Sequence, residues 1–285
     1  MNSFCIIANS SRDIDYELSG KICKYLKDKG AKCILDKSFS NNDKYRYTNP
    51  DLIPEDVECV ITVGGDGTLL QAARDLIEKN VLFLGINKGN LGFLAQNCNI
   101  DIDRMLDRLL NGDYKIEERM MLKGCVKRNG KVLSENVALN DIVIHRYGGI
   151  RISDYKVYVN DLFLNEYHAD GLICATPTGS TAYSLSAGGP VVEPNANLMV
   201  MTPICAHSIN GRSIIFSDKD MISVLIKEPR YLKNEKDIVA FDGYAETVLE
   251  PDDVVIINKS DLCTKMIKLD DSSFLQVLKD KMGEK

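Results

Sequence analysis

Val63-Gly64-Gly65-Asp66-Gly67-Thr68-Leu69-Leu70 joins two patterns of different period. Before it, Cys59-Val60-Ile61-Thr62-Val63 is a continuous apolar run of the kind a buried strand shows. After it, Leu69, Leu70, Ala73, Leu76 and Ile77 recur at helical spacing across Thr68–Lys79. The glycines therefore fall where strand becomes helix. Three residues without Cβ let the backbone take positive φ and approach a ligand closely, while the free N–H groups of a helix start attract anions. A carboxylate among such amides would repel a phosphate unless it contacts a metal ion or takes a proton from an attacking hydroxyl. Asp66 thus points to phosphoryl transfer. The same residues admit a plainer reading, in which Asp66 or Thr68 is only a helix N-cap. The stretch has neither the lysine of a P-loop nor the order of a G-x-G-x-x-G fingerprint.

Around this turn the first hundred residues alternate strand and helix patterns: Phe4–Ala8, a helix around Ile14–Lys29, Lys32–Leu35, Cys59–Val63, Leu69–Lys79 and Val81–Ile86. That alternation predicts a parallel α/β layout. A polar insertion over 36–56, containing Asn41-Asn42, Pro50 and Pro54, predicts a long loop beside the site. A second glycine-rich turn, Gly85-Ile86-Asn87-Lys88-Gly89-Asn90-Leu91-Gly92-Phe93-Leu94, follows a strand, and open α/β sheets place ligands at the carboxyl ends of their strands. A helix over about 102–110 leads out of this region.

From about residue 117 the pattern changes to short alternating segments: Met121–Arg128, Val137–His145, Lys156–Val159, Gly171–Ala175, Met221–Ile226, Ile238–Phe241 and Val254–Asn258. These predict a β-rich, sandwich-like domain. The tail from Asp270 has capping residues and then an apolar stripe, which predicts a C-terminal helix returning to the first domain. The expected fold is α/β plus all-β, with an α/β domain over 1–115 plus 266–285 and a β-rich domain over 116–265.

At 285 residues the chain has room for two cores, by the prior of ~100–200 residues per domain. A net charge of −6 argues against a general nucleic-acid or membrane-surface binder. The N-terminus lacks the basic flank of a signal peptide, and no segment approaches the ~20 apolar residues that span a bilayer. The expected location is cytoplasmic. Nine cysteines are scattered without a C-x-x-C pair, which fits buried, reduced thiols rather than disulfides or zinc. No metal-ligating set is read from the sequence.

Three further constellations bear on function. In Asp170-Gly171-Leu172-Ile173-Cys174-Ala175-Thr176-Pro177-Thr178-Gly179-Ser180-Thr181-Ala182-Tyr183-Ser184-Leu185-Ser186-Ala187-Gly188-Gly189-Pro190, a buried strand runs into a turn rich in hydroxyls and then a short helix. Tyr183 could stack on a base there; a capped helix with Tyr183 in the core is the alternative. Asn140-Asp141 interrupts two apolar runs, either to meet a ligand or as a turn or strand end. Phe241-Asp242-Gly243-Tyr244 alone could be only a hairpin turn.

Together and in this order, Gly64–Thr68, the Gly85–Leu94 turn, Asn140-Asp141, Asp170-Gly171 and the Thr176–Pro190 run resemble the NAD kinase family across most of the chain. The resemblance implies an α/β domain and a β-rich domain with the site between them, assembly as homodimer or homotetramer, and Mg²⁺-dependent phosphorylation by ATP of the adenosine-ribose 2′-hydroxyl of NAD. It implies Asp66 as base, beside Gly64, Gly65, Gly67 and Thr68. Asn140 and Asp141 would bind ribose hydroxyl and adenine groups. Thr181, Ala182 and Tyr183 would hold adenine, with Ser184, Leu185 and Ser186 in the same binding run. Ala169 and Asp170 would face the nicotinamide end, and Arg151, His168 and Tyr244 occupy ligand-contacting positions. Many relatives have Asn-Glu in place of Asn140-Asp141, and the family varies at His168 and Tyr244, which bears on the choice among NAD, NADH and NADP. Competing readings are a lipid or sugar kinase sharing the acidic glycine turn, of which a lipid substrate would need an apolar groove, and a catalytically silent dinucleotide-binding regulator, which would have no use for a carboxylate at Asp66.

Overall fold

The protein is described by a computed structural model covering residues 1–36, 48–87, 92–97, 101–148, 152–207, 211–228, 236–269 and 273–283. Most of the expected 36–56 loop, the Lys88–Leu91 part of the second glycine turn, Arg151 and Asp270-Asp271-Ser272 lie outside the described residues. The chain divides into two compact units, Met1–Arg119 with Thr264–Lys285, and Met120–Cys263.

In the first unit, β1 (Ser3–Ala8), β2 (Lys32–Asp36), β3 (Cys59–Gly64) and β4 (Leu82–Asn87) form a parallel sheet in the order β4-β3-β1-β2, with the short β5 (Gln96–Asn97) beside β4. Every residue of β1 and β3 is buried, as expected of strands covered on both faces. The helices α1 (Glu17–Asp28) and α3 (Ile102–Leu110) pack Ile22, Leu26, Leu106 and Leu109 with Leu84 and Ile86 in one core. Between those two strand residues Gly85 faces the other way, where Leu69 of α2 (Asp66–Asp75) lies against it. The chain therefore leaves β1 and β3 toward opposite faces. That is the topological switch point at which open α/β sheets bind ligands, and the Gly64–Thr68 turn stands there.

Two helices are shorter than their periodicity predicts. The carboxylate of Asp13 accepts the N–H groups of Leu18 and Ser19, so the α-helix starts at Glu17, after left-handed residues Asp15 and Tyr16. The helix expected to reach Lys79 ends at Asp75, and Ile77–Lys79 is a separate 3-10 turn.

The second unit begins within β6 (Lys115–Arg128), which pairs with β7 (Lys131–Ala138). Further strands follow: β8 (Asp141–Tyr147), β9 (Ser153–Val159), β10 (Leu162–Ala169), β11 (Gly171–Ala175), β12 (Leu198–Ile204), β13 (Ile214–Ser217), β14 (Ile222–Ile226), β15 (Lys236–Phe241), β16 (Tyr244–Leu249) and β17 (Val254–Lys268). One antiparallel sheet runs β13-β12-β11-β8-β15-β16; opposite it stand β10-β9-β14-β17 with the β6–β7 hairpin. Their inward residues, among them Leu122, Ile144, Tyr155, Val157, Cys174, Val224 and Phe241, share one core, the sandwich arrangement. The segment read as one strand over Val137–His145 is two, broken at Leu139-Asn140. The strands β10, β12, β13 and β16 were not anticipated. The short α4 (Tyr183–Ser186) follows β11. The last helix, α5 (Phe274–Met282), belongs to the first unit, where Phe274 lies 6.4 Å from the Phe93 ring. Among the described residues no helix is long and apolar enough to cross a membrane.

Candidate active site

Asp66 is the first helical residue of α2; Gly65 is the N-cap, and no side chain caps this helix. The plain N-cap reading of Asp66 or Thr68 therefore does not describe the turn. Instead, the Asp66 carboxylate accepts the N–H groups of Phe93 (2.8 Å), Leu94 (3.2 Å) and Ala95 (2.9 Å). The two glycine-rich turns are thus joined through this one side chain. A carboxylate offers about four lone-pair sites, so three amides hold it in place and leave room for roughly one further partner. Gly92 makes the approach possible, since a Cβ there would sit 2.0 Å from Asp66 Oδ1. We expect Gly92→Ala to push the carboxylate off at least one amide, lowering stability by about 1–3 kcal/mol and reducing turnover. Thermal melting and kcat would check this; wild-type values in both would show that the contact is unimportant.

The reason expected for the glycines needs correction. None of Gly64, Gly65 and Gly67 has positive φ. Gly64 is required by close approach, because its Cβ would meet Thr68 Oγ1 at 2.4 Å. Around Gly65 and Gly67 there is open space, which leaves their backbone approachable. Thr68 itself is buried, and its hydroxyl accepts from the side chain of Asn9 at the end of β1 (3.4 Å), a residue the sequence reading passed over.

In the second unit the Leu139–Asp141 turn lies against the loop after β11. Thr176 donates its hydroxyl to Leu139 O (2.6 Å) and its N–H to Asn140 O (2.8 Å), and its Oγ1 accepts the Gly179 N–H (3.0 Å). Gly179 stands so close that a Cβ would be 2.0 Å from Asn140 O. Two polar atoms in this cradle, Asn140 Oδ1 and Thr178 Oγ1, are buried with no hydrogen-bond partner among the described residues, although buried polar groups are nearly always paired. Thr178 is only 5% exposed. Asp141 is as deeply buried, and burial first, then the nearby charge of Asp242, pushes its carboxyl up to about 7.

Tyr183 is 41% exposed, so it is not a core tyrosine. Its hydroxyl pKa is pushed up by partial burial first and then by Cys205, Asp141 and Asp170. Asp170 is held by Arg146 through Nε at 2.9 Å and Nη2 at 3.3 Å. Leu185 and Ser186 are exposed beside Tyr183, whereas Ser184 turns inward, where its hydroxyl meets Thr202 Oγ1 at 3.1 Å. Thr181 spends its hydroxyl on Thr178 O (3.2 Å), Ala182 bridges to α4, and Ala169 is buried at the end of β10. Tyr244 opens β16 next to Asp242. His168 faces Asp154 across the β9–β10 pair and contacts its carboxylate through Nδ1. Arg151 lies outside the described residues. Sequence reading passed over Asn9 and gave no individual role to Gly92, Thr178 and Asp242, which carried only the signal of the glycine-rich turn, the hydroxyl-rich turn and the Asp-Gly pair they stand in.

Among the described residues the group with metal-ligand spacing is Asp154, Glu166 and His168, whose ligating atoms lie within 4.8 Å of one another. An imidazole-bearing set already closed by the His168–Asp154 contact does not fit Mg²⁺, which prefers oxygen and in kinase sites is bound largely by substrate phosphates. No disulfide joins the described cysteines, and burial pushes the Cys59 and Cys174 thiols up, keeping them neutral.

Comparison with known proteins bears on both units. Residues 4–114 match the model of the ATP-NAD kinase N-terminal domain, and residues 139–269 that of the ATP-NAD kinase C-terminal domain. The chain is 42% identical to an NAD kinase of Lachnospira eligens, over 99% of this chain and 100% of the relative. It is 39% identical to an NAD kinase of Lachnoclostridium phytofermentans over the whole of both chains. Its fold is that of yeast NADH kinase, solved as a complex with NADH, at a TM-score of 0.83 and 24% identity over 99% of this chain and 88% of that one. It is also that of an NAD kinase from Archaeoglobus fulgidus, solved in complex with ATP, at a TM-score of 0.78 and 22% identity over 99% of each chain. With full-length relatives at this identity and both domain models matched, the chain belongs to the ATP-NAD kinase family.

Proposed function

We propose that this chain phosphorylates the adenosine-ribose 2′-hydroxyl of NAD with ATP to give NADP. Beyond family membership, one observation supports the reading of the second unit as the dinucleotide holder: Asn140 Oδ1 and Thr178 Oγ1 are buried without partners among the described residues, in the loops beside an exposed Tyr183. Such atoms suit the hydroxyl and amino groups of a nucleoside, and the ring suits base stacking.

In the reaction proposed, a carboxylate oxygen of Asp66 takes the proton of the 2′-hydroxyl. The ribose oxygen forms its bond to the γ-phosphorus while the bond from that phosphorus to the bridging oxygen breaks, and ADP leaves with the electron pair. Mg²⁺ enters with the nucleotide as part of the substrate, where it offsets phosphate charge. A cytoplasmic location and a homo-oligomeric state belong to the same proposal and rest on family membership. No observation favours a lipid kinase, a sugar kinase or a silent regulator.

The test is a coupled assay for NADP or NADPH, with NAD and NADH each offered ATP, other nucleotides and polyphosphate, with and without excess EDTA. No product from any pair would refute the function. Turnover undiminished by EDTA would refute the role of Mg²⁺. Stacking on Tyr183 adds a graded expectation: at ~1–3 kcal/mol per stacked base, Tyr183→Ala should weaken NAD binding roughly 5- to 150-fold, and Tyr183→Phe far less. Equal losses in both variants by calorimetry would tell against stacking.

A further inference from the structure

The Leu139–Asp141 turn has every main-chain hydrogen-bonding group occupied, all of them by two distant residues. The Asp242 carboxylate accepts the N–H groups of Leu139 (2.8 Å), Asn140 (2.7 Å) and Asp141 (3.0 Å). The Asp242 N–H donates to Asp141 O (2.9 Å), and Thr176 binds the carbonyls of Leu139 and Asn140. Three donors and three acceptors are thereby satisfied, so this backbone has no need of the Asn140 and Asp141 side chains.

Asp242 is unusual for its setting. It lies with Gly243 in a two-residue loop between β15 and β16, both with positive φ (51° and 72°), flanked by the Phe241–Tyr244 pair. That is the type I′ hairpin, for which Asn-Gly serves as well as Asp-Gly. Only an acceptor-only carboxylate can take three N–H bonds at once; an amide would turn its NH₂ toward one of them. The turn alone does not require an acid, and the three amides do. The acid is also costly here, because it sits 6% exposed beside the buried Asp141 carboxyl and burdens it electrostatically.

We propose that Asp242, with Thr176 opposite it, is a positioning residue for dinucleotide binding: together they clamp the Leu139–Asp141 backbone so that the Asn140 and Asp141 side chains are presented to the ligand already oriented. This rests on the reading of the Asn140-Asp141 turn as part of the NAD site. Its physical effect is preorganisation, since a turn that folding has already ordered does not have to be ordered again on binding.

Asp242→Asn preserves the hairpin and breaks the clamp. In steady-state assays the KM for NAD should rise roughly 10- to 100-fold, the equivalent of losing charge-assisted hydrogen bonds, while kcat and the KM for ATP stay within about threefold of wild type. A merely structural role would instead lower the thermal midpoint and the active fraction without separating the two KM values. A KM for NAD within about twofold of wild type would overturn the clamp. Should Asp242→Asn fail to fold, Thr176→Val removes the opposite hydroxyl at nearly constant volume. It should raise the KM for NAD about fivefold, the usual effect of one neutral hydrogen bond, and an unchanged KM would again overturn the proposal. Wild-type protein that neither binds NAD in calorimetry nor makes NADP would defeat the functional reading and this one together. Wild-type turnover with an unaltered KM in the variant would defeat the clamp alone.

Discussion

Asp66→Asn should cut kcat roughly 10²- to 10⁴-fold, the usual contribution of a general base. Asn has nearly the size of Asp but cannot take the ribose proton. The structure also says what the substitution does to folding. The Leu94 and Ala95 amides bind Oδ1 and the Phe93 amide binds Oδ2. An asparagine oriented with its oxygen at the Oδ1 position keeps two of these bonds and opposes an NH₂ to the third donor, at about 1–3 kcal/mol. The variant should therefore fold, with a lowered thermal midpoint, and the larger effect should appear in kcat rather than in the KM for NAD. Near-normal kcat in a folded variant would remove Asp66 from the role of base and leave it as the post on which the second glycine turn is hung.

Asp141→Asn should stabilise the protein at alkaline pH, although it removes a charged residue from a proposed binding site. The Asp141 carboxyl is raised from 3.8 to about 7, by burial first and by Asp242 second. A group whose folded value lies above its unfolded value favours folding most below the unfolded value, and that contribution is lost as pH rises through the folded one. Between about pH 4 and pH 7 the wild type should therefore lose stability, by at most an amount on the order of 4 kcal/mol from this group. Asparagine stays neutral throughout, so the variant should lack that loss. Melting both proteins from about pH 5 to pH 8 isolates the effect in the difference between them. Parallel curves would mean that Asp141 titrates normally in the folded protein. The expected gain is the pattern of a site where a buried like-charged pair is kept at a cost to stability.

Much of the first unit was legible because its signals are local. The apolar runs at 4–8, 59–63 and 81–86 fall on strands, the last of them observed as Leu82–Asn87, and the pattern over 102–110 is a helix, since a strand buried on both faces and an amphipathic helix each declare themselves within ten residues. The strand-to-helix change across Gly64–Thr68 by itself marks a turn whose free amides suit an anion. The β-rich unit was less legible. Leu162–Ala169 begins with three exposed apolar residues, and Asn140 interrupts its run without the glycine or proline that usually marks a turn, so β10 was among the strands overlooked, and β8 and the end of β7 were read as one.

From its own residues the sequence determined the strand–helix alternation of the first unit, the β-rich character of the second, the acidic turn and the hydroxyl-rich loop, while the exposure of Tyr183 is read from the structure. Only tertiary structure decided what holds these groups. The amides on Asp66 come from 27 to 29 residues away, the Thr176 hydroxyl reaches Leu139 across 37, and Asp242 reaches Asn140 across 102. Gly92 stands in a glycine-rich turn and Thr178 in a hydroxyl-rich one, but neither local pattern says what the residue meets. Periodicity records which face of an element is buried, because burial acts on each element by its own repeat. A carboxylate bound to three amides, or a glycine that admits one, depends on which distant segments the closed fold brings within 3 Å or so of each other, and no short-range pattern carries that distance.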